Sequence, residues 1–165
     1  MIKNHEEPAN SPLASAGRNL SKLERRRIVL YAAAGLFSLI GLADSIYLTI
    51  QHVTGQSVRC TIVAGCSEVL SSSYATFGGI PLAMIGAAAY FCVFSLSTLA
   101  AFGYRSAGQL MTLVVVLMFV VTLWLFYLQA FVIRHFCQFC LLSAATTVLL
   151  TGITVLLWRI RRRSV

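Results

Sequence analysis

Along this chain the apolar positions gather into four long runs, with only short polar breaks between most of them. The runs are Ile28–Ile50, Ile80–Phe102, Gly108–Ile133 and Phe136–Trp158, each 23 to 26 residues long. At about 1.5 Å of rise per residue, a 23-residue helix reaches about 34 Å. That is enough to cross a hydrocarbon core about 30 Å thick. The pattern predicts an all-α membrane protein, a bundle of four transmembrane helices. The first run is too long for the h-region of a cleaved signal peptide, about 7–15 residues, and no clear small-residue cleavage site follows it. Residues 1–27, with Pro8 and Pro12 among Ser and Asn, read as a flexible N-terminal tail. Residues 28–158 read as the membrane domain and 159–165 as a second, basic tail.

Composition narrows the class. Hydrophobic residues make up 58% of the 165 and charged ones 11%, with a mean hydropathy of +0.82. A soluble domain has about 45–50% apolar and about 25% charged residues, so a soluble globular protein and a disordered chain are both excluded. Four spans nearly fill the length and leave no room for a fused soluble catalytic domain. The net charge of +8 is not the footprint of a nucleic-acid binder, because the bases sit beside the apolar runs. Eleven of the 13 fall on one side: Lys3, Arg18, Lys22, Arg25, Arg26, Arg27, Arg105, Arg159, Arg161, Arg162 and Arg163. Only Arg59 and Arg134 fall on the other. The positive-inside rule then places both termini in the cytoplasm. The loop 51–79 and the short connection 133–136 face the opposite side.

The one long connection is that outer loop, which ends in Gly78-Gly79 before Pro81. Within it, Cys66–Ser72 has the makings of a short helix on the membrane surface, with Val69 and Leu70 toward lipid. Four of the five cysteines lie on this side: Cys60 and Cys66 in the loop, Cys137 and Cys140 as a C-x-x-C at the head of the fourth helix. Disulfides form in extracytoplasmic compartments. At a helix start the first cysteine of C-x-x-C meets free backbone N–H groups at the positive end of the dipole, which lowers its thiol pKa. The second lies three residues on, on the same face. Two dithiol pairs, one mobile and one fixed where bilayer meets water, make a relay by thiol–disulfide exchange to a membrane-borne acceptor. Two static disulfides, or a zinc held by four thiolates, are the alternatives; no metal site is expected, because C-x5-C is a loose spacing. Cys92, deep in the second run, reads as a small buried hydrophobe.

These strings together resemble the vitamin K epoxide reductase family in its bacterial branch. The likeness rests on Asp44-Ser45-Ile46-Tyr47-Leu48-Thr49 with His52, on Cys60, and on Cys66-Ser67-Glu68-Val69-Leu70-Ser71-Ser72-Ser73-Tyr74-Ala75. Gly79-Ile80-Pro81 and Cys137-Gln138-Phe139-Cys140 complete it, over about residues 28–158. The disulfide-bond protein B family has the reverse order, with C-x-x-C in its first outer loop. The resemblance implies a thiol oxidoreductase of a bacterial cytoplasmic membrane. Cys60 and Cys66 match the shuttle pair, oxidising a thioredoxin-like protein that acts in trans. Cys66 then exchanges with Cys137, and Cys140 matches the cysteine beside a quinone of ubiquinone or menaquinone type.

Three further residues are candidates for the quinone site. Asp44 is the only carboxylate within an apolar run, and a charge at membrane depth is costly enough to suggest function. Ser71 and Ser72 could position the loop helix or donate to the quinone. His52 and His135, near the outer interface, could move protons. Where members that reduce vitamin K epoxide carry a Thr-Tyr pair after the C-x-x-C, this chain has Ser143-Ala144, and the asparagine they use near the second helix is absent. Plain quinone reduction is therefore expected rather than epoxide reduction. The competing class is a membrane scaffold or transport subunit whose disulfides only staple the loop.

Overall fold

The structure, a computed structural model, describes residues 12–55 and 76–163. Among these residues are four long helices and one short hairpin. Helix α1 spans Pro12–Val53. Strands β1 (Thr76–Phe77) and β2 (Ile80–Pro81) pair antiparallel, Thr76 with Pro81 and Phe77 with Ile80. Their two-residue turn needs positive φ at both positions, supplied by Gly78 at +60° and Gly79 at +84°. Helix α2 spans Leu82–Ala101, α3 Arg105–Tyr127 and α4 Gln138–Arg163. The expected four-helix membrane bundle is what forms. Four segments are long and apolar enough to cross a membrane: 21–53, 82–101, 105–133 and 138–162.

The tight turn between α2 and α3 follows from one residue. Gly103 takes φ +98°, its N–H bonds the carbonyl of Ala100, and the Tyr104 N–H bonds that of Leu99. This is the Schellman arrangement, which uses a left-handed glycine to satisfy the last carbonyls of a helix. With so short a link, α3 runs antiparallel beside α2. The core is built where four helices meet: Tyr31 and Ala34 of α1, Val93 and Ala100 of α2, Met111 of α3 and Leu150 of α4. Small residues let the backbones approach, as membrane helices require in the absence of a hydrophobic drive between them. Large apolar side chains such as Leu36, Phe91, Leu113 and Val120 point outward, where a bilayer covers them.

Both expected tails need correction as far as they are described. The N-terminal tail, read as flexible over 1–27, is helical from Pro12 onward. Leu, Ala, Arg, Lys and Glu dominate that stretch and are strong helix formers, while a hydropathy window sees only where lipid ends. The C-terminal tail, read as starting at 159, continues α4 to Arg163. There the Arg162 guanidinium stacks 3.9 Å from the Trp158 ring centroid, one turn below. Other ends move by a few residues: α2 starts at Leu82 rather than 80, α3 at Arg105 rather than 108, and α4 at Gln138 rather than 136. The surface helix expected at Cys66–Ser72 lies outside the described residues.

Candidate active site

The geometry of the C-x-x-C begins in the helix before it. Beyond Tyr127 the chain widens into a π-helical turn, Leu128–Ile133. Such turns are rare and concentrate at functional sites. This one buries the side chain of Gln129. Arg134 then adopts φ 56°, a left-handed conformation that costs a residue with a Cβ about 1 kcal/mol or more. The chain thereby reverses within four residues and enters α4.

Cys137 caps α4. Its carbonyl accepts the N–H of Leu141 at 3.0 Å, and its own N–H donates to Gln129 Oε1 at 3.5 Å. The side chain is fully buried, that of Cys140 half-buried, and both are free thiols. A hydrogen bond from the Cys140 thiol is the main cause that brings the Cys137 thiol down to about 7. The N–H groups of Cys140 and Phe139 act in the same direction, while burial and the charge of Asp44 oppose it. Gln129 also hydrogen-bonds Cys140, so one buried amide touches both cysteines.

Cys140 lines a partly open cavity of about 380 Å³ to which all four helices contribute. Most of its wall is apolar, including Leu117, Met118, Val121 and Leu125 of α3. Its polar groups are few: Asp44, Ser45 and His52 on α1, Tyr90 on α2, Gln129, and Ser143 and Thr147 on α4. The Tyr90 hydroxyl donates to the Ser143 carbonyl at 2.9 Å and lies 2.8 Å from Ser143 Oγ and 3.1 Å from Thr147 Oγ1. The Tyr90 ring lies against Gly41, where an added Cβ would run into it. Asp44 is 7% exposed, and neither carboxyl oxygen has a hydrogen-bond partner among the described residues.

The fold therefore brings Cys140, Asp44 and His52 to one cavity, with Cys137 behind Cys140. Cys60, Cys66, Ser71 and Ser72 lie outside the described residues. His135 is exposed on the connection. Cys92 is exposed on α2 rather than buried, so the reading of a packed hydrophobe does not hold; on that face lipid replaces protein contacts. No group of three or more His, Cys, Asp or Glu side chains is placed to hold a metal among the described residues. Gln129, Tyr90 and Thr147 were not singled out from the sequence, and Ser143 only as part of the Ser143-Ala144 pair. A signal existed for the last two: Cys140, Ser143 and Thr147 follow the three- and four-residue spacing of one helix face. Gln129 was a lone amide near the end of an apolar run.

Comparison with known proteins agrees with this architecture. A stretch of 57 residues is 44% identical to the thiol-disulfide oxidoreductase LTO1 of Arabidopsis thaliana. It covers 34% of this chain and 15% of that much longer relative. The family model of the vitamin K epoxide reductase family matches residues 32–155, from the middle of α1 through most of α4. With that match over most of its length and four helices able to span a bilayer, the chain is a multi-pass membrane protein and belongs to the vitamin K epoxide reductase family.

Proposed function

We propose that this protein is a membrane thiol–disulfide oxidoreductase. It makes disulfides in thioredoxin-like partner proteins and passes the electrons, through Cys60/Cys66 and then Cys137/Cys140, to a membrane quinone of ubiquinone or menaquinone type. The observation that carries the reading is a dithiol at a helix head with one sulfur, Cys140, in the wall of an apolar cavity within the bundle. The cysteine-bearing end faces the extracytoplasmic side, following the basic residues at the opposite end.

The cavity suits a quinone. Its volume is within the range of small-ligand sites, and mostly apolar walls with a few polar groups match a ring carrying two oxygens. Leu117, Met118 and Val121 would hold the ring and Asp44 and Ser45 would meet its polar edge, with Ser71 and Ser72, which lie outside the described residues, as further candidate donors. When bound, a quinone supplies a two-electron, two-proton sink.

The chain's own residues do the rest. Reduced thiols of the partner attack the Cys60–Cys66 disulfide and leave oxidised. The Cys66 thiolate then attacks Cys137 of the Cys137–Cys140 disulfide, giving a Cys66–Cys137 bond and freeing Cys140. Cys60 attacks Cys66, restores the loop disulfide and releases Cys137. A sulfur whose thiol ionises near pH 7 is a good leaving group in that step. Gln129 holds both cysteines in register. The dithiol then closes, giving up two electrons and two protons.

The test is steady-state quinone reduction by purified protein with a reduced thioredoxin-like donor. Wild type should turn over, while Cys137→Ser and Cys140→Ser should fall to background with the fold intact. A folded wild type that reduces none of several quinones would leave a scaffold with structural disulfides as the better reading.

A further inference from the structure

Asp44 is a buried carboxylate that no hydrogen bond from the described residues satisfies. It is 7% exposed, lies well inside a membrane-spanning helix, and has both oxygens unpartnered among the described residues. Uncompensated burial of such a group is expensive, and an apolar residue at this position would avoid it. The titratable groups around it are Tyr90 from α2, Cys140 and Cys137 from the head of α4, and His52 two turns along its own helix. No Lys or Arg lines the cavity among the described residues. The Tyr90 hydroxyl already donates to the Ser143 carbonyl. A carboxyl group in a cavity wall shared with Cys140 is thus held for what it can exchange rather than for what it binds within the fold.

Closing the Cys137–Cys140 disulfide breaks two S–H bonds, forms one S–S bond and releases two electrons and two protons. We propose that Asp44 is the proton carrier of this cavity, taking the proton that Cys140 gives up and handing it to an oxygen of the reduced acceptor. The inference rests on the cavity being the electron-accepting site. The electrons go to the acceptor, a quinone by chemical class. One proton reaches it through Asp44. The second, from Cys137, is released to water, and water supplies its equal to the other oxygen of the acceptor. Asp44 ends each cycle as the carboxylate it began as. Proton transfer by a placed group is worth about 100-fold or more in rate.

Two readouts test this, and the first needs no quinone. The charge on Asp44 acts to raise the Cys137 thiol, so Asp44→Asn should move the pH midpoint of Cys137 alkylation downward. An unchanged midpoint would overturn the proposal. The second compares turnover with binding of a quinone analogue by titration calorimetry. Asp44→Asn, which keeps a polar group at the quinone's edge, should lose about 100-fold in turnover, far more than it loses in binding, with its pH dependence flattened, and Asp44→Glu should recover part of the rate. Turnover at the wild-type level, or turnover and binding falling together, would also overturn it. If the wild type reduces no quinone, the functional reading above fails and the role of Asp44 fails with it, whereas a wild type and an Asp44→Asn that turn over equally fast would overturn the inference alone.

Discussion

The two ends of this bundle are built on opposite principles. Toward the α2–α3 turn, Tyr31, Ala34, Ala100, Ala107 and Met111 close on one another with almost no exposed surface. Toward the cysteines the same helices part around a cavity of about 380 Å³, whose walls include a carboxylate with no hydrogen-bond partner among the described residues, and a π-helical turn interrupts the regular backbone. One half is spent on stability and the other on a site. Hydroxyls mark the boundary: Tyr90 from α2 reaches Ser143 and Thr147 on α4 just where packing gives way to cavity. A membrane bundle held by van der Waals contact and a few interhelical hydrogen bonds can hollow out one end only if the other is tight.

Substitutions should separate the halves by their cost. The largest effect is expected at Gly41, where a methyl group would enter the Tyr90 ring, a ring fixed by its hydrogen bonds. Overpacking of this kind costs about 1–3 kcal/mol, so Gly41→Ala should lower the midpoint of thermal unfolding in detergent. Gly108→Ala should cost much less, because the atoms it meets are the far ends of Tyr31 and Arg161. Next, Met111→Ala should cost about 2 kcal/mol, the low end for such truncations because lipid removes part of the transfer term. Val121→Ala, on the cavity wall and half-exposed, should cost under about 1 kcal/mol. Equal losses at Met111 and Val121 would abolish the contrast.

The hollow half should show the reverse sign. Asp44→Leu removes a buried polar group without hydrogen-bond partners among the described residues, so it should stabilise the fold by about 1 kcal/mol or more while abolishing quinone reduction. A fold weakened by Asp44→Leu would mean that the carboxylate is a structural contact. Tyr90→Phe should cost about 0.5–2 kcal/mol through its lost interhelical bonds. The smallest effect is one of pH. Because the Cys137 thiol is brought down to about 7, its thiolate is populated above that value and lost below it. Alkylation of Cys137 should therefore rise through pH 7, earlier than for an unperturbed cysteine near 8.5.

How legible each half was in the sequence follows from the same difference. The spans and the four-helix architecture could be read because lipid imposes one requirement on every residue of a run. The place of Cys137 and Cys140 at a helix head could be read because C-x-x-C follows a short break. Gln129 and Tyr90 could not, because hydropathy records how apolar a segment is but not which face meets which. The π-helical turn at Leu128–Ile133 has no compositional mark, and it alone aims Gln129 at both cysteines. The extension of α1 back to Pro12 was missed for the opposite reason, since helix propensity continues where hydropathy ends.

The most direct measurement is a single turnover without any donor protein. Reduced protein would be mixed with one equivalent of quinone, and the thiols of Cys137 and Cys140 counted by alkylation and mass spectrometry beside the quinol formed. One Cys137–Cys140 disulfide for each quinol is the expected result, with none of either in Cys140→Ser. Quinone left oxidised and both thiols still free, in folded protein, would contradict the assignment of this end of the bundle as a redox site.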